Sequence, residues 1–262
     1  WQPINYLFYK SSKNKTNATD SSLYFLLGGI TGVISPLIAG FLLRDYGYTT
    51  IFTIVASGYF CSALFTLYYA PKERVESNFI KAVHQYKKLK TISMIEGALH
   101  FVTFVIIPTF TVFFYSKETS FGAFASYIAL IGLLIGVVLA LRSDKTQKRL
   151  GYFLFLLMLM GIFIVSLGFI ETPRQWLIMV GLFTIVYQIS NPIRFAIAMD
   201  VKKVDLGFWR AREFFLNVGR FVYLSVAAVL FFLGLLKTLF LVTGSLCIIY
   251  IILLKIKWPE LE

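Results

Sequence analysis

Eight apolar stretches, each about long enough to cross a bilayer, make up most of this chain. A helical span needs roughly 20 apolar residues, because each residue adds ~1.5 Å and the hydrocarbon core is ~30 Å thick. A mean hydropathy of +0.77 and a hydrophobic fraction of 58% exclude a soluble domain. The sequence therefore predicts an all-α polytopic membrane protein with eight transmembrane helices. The predicted spans are Ser22–Leu43, Thr49–Ala70, Ser93–Tyr115, Phe121–Leu141, Gly151–Ile170, Gln175–Met199, Trp209–Phe232 and Thr238–Leu254.

Lysine and arginine are distributed unevenly between the two sides of these spans. When connectors are assigned to alternating sides, 19 of the 25 basic residues fall on one side and four on the other, while Arg194 and Arg220 lie within spans. Cytoplasmic connectors carry the excess of basic residues. Both termini and the long connector 71–92 are therefore expected in the cytoplasm, with the chain in the cytoplasmic (inner or plasma) membrane. The net charge of +12 is then explained by topology and anionic lipid, and no nucleic-acid partner is expected.

The sequence gives no indication of a cofactor or a metal site. Both cysteines, Cys61 and Cys247, lie inside predicted spans, so they indicate neither a disulfide framework nor a metal cluster. There is no His-Glu-x-x-His or Gly-x-Ser-x-Gly motif, and the only two histidines lie in separate segments. A membrane-embedded enzyme is therefore the less favoured alternative, and the chain is not expected to be an enzyme.

The long connector divides the chain into 1–70, which holds two spans, and 93–262, which holds six. Within 71–92, four apolar residues recur at helical spacing while most lysines fall elsewhere. They are Phe79, Ile80, Val83 and Tyr86. This pattern predicts a short amphipathic helix on the inner membrane surface; an ordinary solvated linker is the alternative.

Charged residues avoid every third span. An ionisable side chain inside a bilayer is expensive unless it faces a cavity or a partner. The second, fifth and eighth spans carry no charged residue and no histidine, so they are predicted to face lipid, while their neighbours enclose a wet cleft. The candidate polar residues of the third, sixth and seventh spans are Glu96 and His100; Gln188, Asn191 and Arg194; and Glu213, Asn217 and Arg220.

Arg220 is the most informative of these residues. It lies eleven residues past Trp209, or ~16 Å along a helix, which is too deep to reach the interface easily. A counter-ion, either Glu213 or Glu96, or an anionic substrate would explain it. Glu213, Asn217 and Arg220 share one helix face, because they are four and three residues apart.

The other charges allow a structural interpretation. Glu213, with Arg210 and Arg212, could be an interfacial charge at the start of its helix. Glu96 could likewise be interfacial, and His100 could be a packing residue with satisfied hydrogen bonds.

Three short motifs carry a family resemblance. Ser35-Pro36-Leu37-Ile38-Ala39-Gly40 is similar to a Gly-Pro-x-x-Gly-Gly motif, with Ser35 and Ala39 in place of glycine. The segment 140–149 is similar to the loop motif Gly-x-x-x-Asp-Arg/Lys-x-Gly-x-Arg/Lys: Asp144, Lys145 and Arg149 match, while Ala140 and Gln147 replace glycines. Gly47-Tyr48 resembles an entry to a sixth helix. These motifs are combined with eight spans, a basic central connector and charged residues that avoid every third span. Together they make the chain resemble the major facilitator superfamily of transporters.

The resemblance implies a twelve-helix fold of which this chain covers helices five to twelve. Two helices would belong to the N-terminal half and six would form the complete C-terminal half; because residue 1 is Trp rather than Met, four further helices are expected upstream. It also implies a secondary transporter that moves a small solute by alternating access, coupled to protons or another ion, with efflux antiport as one form. A non-transporting membrane subunit or a truncated gene product is the alternative.

Residue roles are assigned on the same basis. Substrate or gating contacts are expected from Tyr187, Gln188, Asn191, Asn217 and Arg220. Ion coupling is expected from Glu96, His100 and Glu213. A cytoplasmic loop gate is expected from Asp144, Lys145 and Arg149, because a carboxylate at a helix junction can pair with a base or cap a helix. Helix packing is expected from Pro36, Gly40, Gly132, Gly136 and Pro192, through small residues at interfaces and a proline that frees a carbonyl.

Overall fold

The computed structural model describes residues 17–69, 78–143, 149–200 and 206–257, and every regular element within them is helical. The helices are α1 (Asn17–Tyr69), α2 (Phe79–Gln85), α3 (Lys90–Phe101), α4 (Ile107–Phe114), α5 (Glu118–Ser143), α6 (Arg149–Leu167), α7 (Pro173–Asp200), α8 (Leu206–Phe232) and α9 (Leu236–Lys257). A 3₁₀ turn, Tyr86–Lys88, follows α2, and a π turn, Val102–Ile106, joins α3 to α4. The prediction of an all-α protein is confirmed.

The eight predicted spans coincide with these helices to within a few residues. α1 is continuous except at Gly47, whose φ of 74° and ψ of 177° are not helical. Glycine adopts this backbone conformation without strain, so 17–46 and 48–69 correspond to the first two spans. α3, the π turn and α4 together form the third span. Pro108, which has no N–H, follows the π turn, and the Ile107 N–H bonds back to the Val102 carbonyl across it.

Six described helical segments are long and apolar enough to cross a membrane. One of them, Gly28–Tyr68, has 41 residues, about twice the length that one crossing needs, and it contains the break at Gly47. The chain is therefore an integral membrane protein.

The first half of α1 packs against α5 through small residues. A Cβ added at Gly40 would lie 2.9 Å from the Glu118 carbonyl oxygen, and one added at Gly122 would overlap the Pro36 carbonyl oxygen. The Pro36 to Gly40 segment thus lies at a close helix contact, in the place expected of a packing motif. On α5, a Cβ at Gly132 would lie 2.8 Å from the amide nitrogen of Gln188 on α7.

A second close crossing joins α3 to α8. A Cβ at Gly97 would overlap the Leu216 carbonyl oxygen, and a Cβ at Gly219 would overlap the Met94 carbonyl oxygen. The two backbones therefore touch directly, and polar residues on either side of the crossing are brought together. Neither glycine stood out in the sequence.

Gly219→Val is expected to destabilise the bundle, because the added carbons would meet the backbone of α3 rather than a movable side chain. Overpacking of this kind costs about 1–3 kcal/mol or more. The thermal unfolding midpoint of purified protein in detergent should fall clearly. Gly58→Val on α1 is the matched control, since nothing lies within 4 Å of its added Cβ. Equal changes in the two variants would contradict the role assigned to the crossing.

Two of the three predicted lipid-facing spans, the fifth and the eighth, have two different faces, whereas 52–68 of the second is exposed on every face. α6 and α9 pack against each other and bury residues such as Phe153, Ile164 and Cys247 in the main hydrophobic core. Their opposite faces expose apolar side chains, among them Ile162 and Ile248, as expected of a surface in contact with lipid. The two helices are therefore structural parts of the core as well as lipid-facing helices.

The connector contains the predicted short helix, but this helix lies on protein. Tyr86 is buried and Val83 packs beside it, against Phe208 and Phe215 of α8. Ile80, in contrast, is 81% exposed. The apolar face predicted for the membrane surface thus mainly docks this segment onto α8.

Candidate functional site

A buried carboxylate with two arginines joins three helices of the bundle. Glu96 is 3% exposed, and Arg194 and Arg212 are 8% exposed each. The Arg212 guanidinium donates to Glu96 Oε1, and Arg194 Nε lies 3.3 Å from the same oxygen. We call these three residues, which join α3, α7 and α8, the Glu96 triad. An ion pair away from water is retained only where geometry and partners compensate for its desolvation.

The three members of the triad lie at the same depth. Glu96 is six residues after the first residue of α3, Arg212 six after the first of α8, and Arg194 six before the last of α7. Each is thus ~9 Å from its helix end. These are the ends next to the long connector, which we call the connector end. The triad therefore ties three helices together in the outer third of the bundle on that side.

A second group of polar residues, the Arg220 cluster, comprises His100, Glu213, Asn217 and Arg220. Arg220 Nη1 donates to Glu213 Oε1 at 2.8 Å and to Asn217 Oδ1 at 2.9 Å. Arg220 Nη2 lies 3.2 Å from His100 Nδ1 on α3. Of the two counter-ions considered for Arg220, the structure places Glu213 beside it. Arg220 is 14 residues into α8, ~21 Å along the helix, and thus near its middle.

His100 links the cluster to the triad. Arginine only donates hydrogen bonds, so Nδ1 accepts from Arg220 and the single proton of the neutral ring lies on Nε2. Nε2 is 4.0 Å from Glu96 Oε1. The imidazole therefore stands between the Arg220 guanidinium and the Glu96 carboxylate.

α7 contributes a ladder of side chains on one face. The Asn191 amide donates to Gln188 Oε1 at 3.3 Å, and Arg194 donates to Asn191 Oδ1. Tyr187 is buried, and the Arg194 guanidinium lies over its ring at 5.5 Å. Tyr187 thus supports Arg194 rather than presenting a free ring. Through Arg194, the ladder joins the Glu96 triad.

The docked connector closes the connector end of the triad. The hydroxyls of Tyr86 and Ser93 are 2.7 Å apart, and Ser93 lies three residues before Glu96 on α3. Burial raises the pKa of Tyr86 to about 12, so its hydroxyl keeps its proton at neutral pH. Arg212 itself lies over the Trp209 ring at 5.6 Å.

A sequence model of the Major Facilitator Superfamily matches residues 1–207, which is more than three quarters of the 262 residues. The chain belongs to the Major Facilitator Superfamily. It is accordingly a membrane transporter. No curated protein and no solved structure matches it. The match ends before Arg212 and Arg220, so the assignment of these two residues rests on the geometry described above.

The network of this Major Facilitator protein includes two arginines, Arg194 and Arg212, to which no specific role was assigned from the sequence, although Arg194 was among the candidate polar residues. An interfacial charge at the start of its helix was the structural alternative considered for Arg212; the structure instead buries its side chain against Glu96. The helical spacing in the sequence could have placed Arg212 on the buried face of α8. Trp209, Leu216 and Gly219, which lie three, four and seven residues from it, are on that face. Arg194 lies three residues past Asn191 on the polar face of α7.

Glu96 was also considered as an interfacial residue, and this alternative is wrong for the same reason. The carboxylate is among the most buried polar groups of the described chain. His100 is not a packing residue with all its hydrogen bonds satisfied, because its Nε2 is buried without a hydrogen-bond partner within the described ranges.

Some predicted residues lie outside the described part of the chain. Asp144 and Lys145 are in the connector that precedes α6, and the side chain of Arg149 also lies outside it. The surroundings of Gly136 on α5 and of Pro192 on α7 are likewise outside, although both helices run through these positions. Among the described residues, no group of three His, Cys, Asp or Glu side chains comes together as a metal site.

Proposed function

We propose that this protein is a secondary active transporter, which moves a small solute across the cytoplasmic membrane by alternating access and is coupled to an ion, in the first instance the proton. The observation that carries this proposal is the continuous polar network of α3, α7 and α8 inside an apolar bundle. Charged groups at membrane depth are costly and mark substrate and ion pathways. Transporters of this kind bind their substrate near the midplane, between moving helices.

The network has two levels with different proposed tasks. The Glu96 triad, near the connector end, joins three helices and is suited to hold that end closed. Arg220, His100 and Asn217 of the Arg220 cluster, with Gln188 and Asn191, lie deeper. None of them is fully buried, so they are suited to contact the solute. The two halves of the transporter would then rock about the connector 71–92, with both termini in the cytoplasm.

Three titratable groups of the network are the proposed ion-coupling residues: Glu96, His100 and Glu213. The geometry of His100 gives a specific coupling step. Its Nδ1 can accept from Arg220 only while that nitrogen carries no proton. Protonation of Nδ1 would remove this contact between α3 and α8, while Arg220 stays bound to Glu213 and Asn217 on its own helix. Proton binding would thus be linked to the contact between the two helices.

The connector between α5 and α6 is proposed as a further gate. Asp144, Lys145 and Arg149 match a loop motif, and a carboxylate at a helix junction can pair with a basic side chain or a helix N-terminus. Breaking such a pair would accompany opening of the cytoplasmic side.

Flux into proteoliposomes tests the proposal. With an imposed pH gradient, the purified protein should move a solute from a mixed panel faster than without a gradient, and a protonophore should remove the difference. His100→Gln should keep solute exchange but lose its dependence on the gradient, because the amide oxygen can accept from Arg220 and cannot take up a proton. Gradient dependence that persists in His100→Gln would contradict coupling through His100, and protein-free liposomes give the background.

A further inference from the structure

The network contains more positive than negative charge. Three of its residues are arginines, namely Arg194, Arg212 and Arg220, and two are glutamates, Glu96 and Glu213. His100 accepts from Arg220 and is therefore neutral in this arrangement. Among the described residues, the arginines of the network thus outnumber its carboxylates by one, because Arg194 and Arg212 share Glu96. Excess charge inside an apolar bundle is unfavourable.

Hydrogen-bond donors in the network are also in surplus. Both arginines of the triad share one oxygen of Glu96, although each guanidinium has five N–H donors. His100 Nε2 and the Thr103 hydroxyl, one turn further along α3, are buried without hydrogen-bond partners in the described part of the chain. A ligand that supplies several acceptor oxygens would fit this surplus of donors, and a negative charge on it would suit a network in which arginines outnumber carboxylates.

Access identifies Arg220 as the arginine that such a ligand reaches first. The side chains of Arg194 and Arg212 are 10% exposed, whereas that of Arg220 is 25% exposed. Asn217, which contacts Arg220, is itself exposed. Arg194 and Arg212 are held by Glu96 on α3, which is a different helix from their own. A ligand that displaced Glu96 from them would therefore break contacts between helices.

Glu213 is the counter-ion that can be replaced without disturbing the fold. It lies seven residues before Arg220 on the same helix, so this ion pair joins no two helices. Its side chain is 33% exposed, so its carboxylate is already partly accessible from outside the bundle. Glu96, in contrast, bridges α3 to both α7 and α8.

From this geometry we propose that the transported solute carries a small oxyanion group, a carboxylate or a phosphate, which binds Arg220 in exchange for the carboxylate of Glu213. The inference rests on the proposed transport function and specifies its substrate class. The exchange is charge-balanced at Arg220, because one carboxylate or phosphate oxygen replaces another. The released Glu213 then becomes available to water.

Thermal unfolding of the purified protein in detergent tests this without any transport measurement. The probes are inorganic phosphate and succinate, compared with choline chloride at equal ionic strength. At least one oxyanion should raise the unfolding midpoint of the parent saturably. Arg220→Gln should lose the shift, and Glu213→Gln should reach half-saturation at a several-fold lower concentration, because the internal competitor has gone.

The controls separate specific binding from general salt effects. Phosphate stabilises many proteins by exclusion from their surfaces, so an equal shift in Arg220→Gln would overturn the proposal. Arg174→Gln, which alters an exposed arginine at the far end of α7, should behave as the parent. If Arg220→Gln fails to fold, Glu213→Gln is the deciding variant, and a half-saturation concentration equal to that of the parent would overturn the proposal. The proposal is also overturned if neither anion shifts the unfolding midpoint of the parent saturably. If the protein moves a neutral solute along the gradient and binds no anion, the oxyanion proposal fails while the proposed transport function stands. If it binds the anion but shows no flux, the proposed transport function fails while the anion site stands.

Discussion

Arg220→Ala is expected to remove solute flux almost completely while leaving the amount of protein in the membrane near that of the parent. Truncating one partner of a hydrogen-bonded charge pair at a binding site costs about 2 kcal/mol or more, which is about thirtyfold or more in affinity. The fold should tolerate the change, because Arg220 is partly exposed and its ion pair with Glu213 lies within one helix. Flux in proteoliposomes and the yield of folded protein are the two measurements.

A double substitution distinguishes a solute contact from a structural ion pair. If Arg220 only neutralises Glu213, the variant with both residues changed to alanine should recover flux, since no unpaired charge remains. If Arg220 binds the solute, the double variant should stay as inactive as Arg220→Ala. Near-parental flux in Arg220→Ala alone would show that the residue is structural, contrary to the role proposed for it.

The helices could be predicted because the signal for them is local. A run of about 20 apolar residues is read along the chain without knowing what it touches, and the break at Gly47 falls between two such runs. The shared face of Glu213, Asn217 and Arg220 follows from helical spacing alone. Their contacts in the structure accordingly match the sequence-based expectation.

Contacts between helices could not be predicted in the same way. Glu96 and Arg212 are 116 residues apart, and they meet only because α3 and α8 touch at Gly97 and Gly219. A glycine in an apolar helix gives no indication of which helix it will contact. An arginine six residues from a helix end looks the same in sequence whether it points to water or to a buried carboxylate, and this is why the sequence assigned no role to Arg212.

The short connector helix shows the same limit. An apolar face at helical spacing is equally suited to lipid and to a protein surface. Tyr86 is taken up between Phe208 and Phe215, whose positions depend on the fold of α8. The spacing thus predicted the helix correctly, and the partner of its apolar face was decided by tertiary packing.

Glu96→Gln is expected to be the most destabilising single substitution in the network. It removes the one carboxylate shared by Arg194 and Arg212 and leaves two buried guanidinium groups without a counter-ion. Breaking a buried ion pair by removing one partner costs about 3–5 kcal/mol, and here two pairs are lost together. Both the thermal unfolding midpoint and the yield of membrane-inserted protein should fall sharply.

The matched comparison is Arg212→Gln, which should be much milder than Glu96→Gln. Removing Arg212 leaves Glu96 paired with Arg194, 3.3 Å away, so the two charges that remain in the triad balance. Arg194→Gln should behave in the same way, because Arg212 then keeps the carboxylate. The expected order of unfolding midpoints is therefore parent, then either arginine variant, then Glu96→Gln. A Glu96→Gln midpoint at or above those of the arginine variants would mean that Glu96 is not their common counter-ion, and the triad would lose its proposed role in closing the connector end.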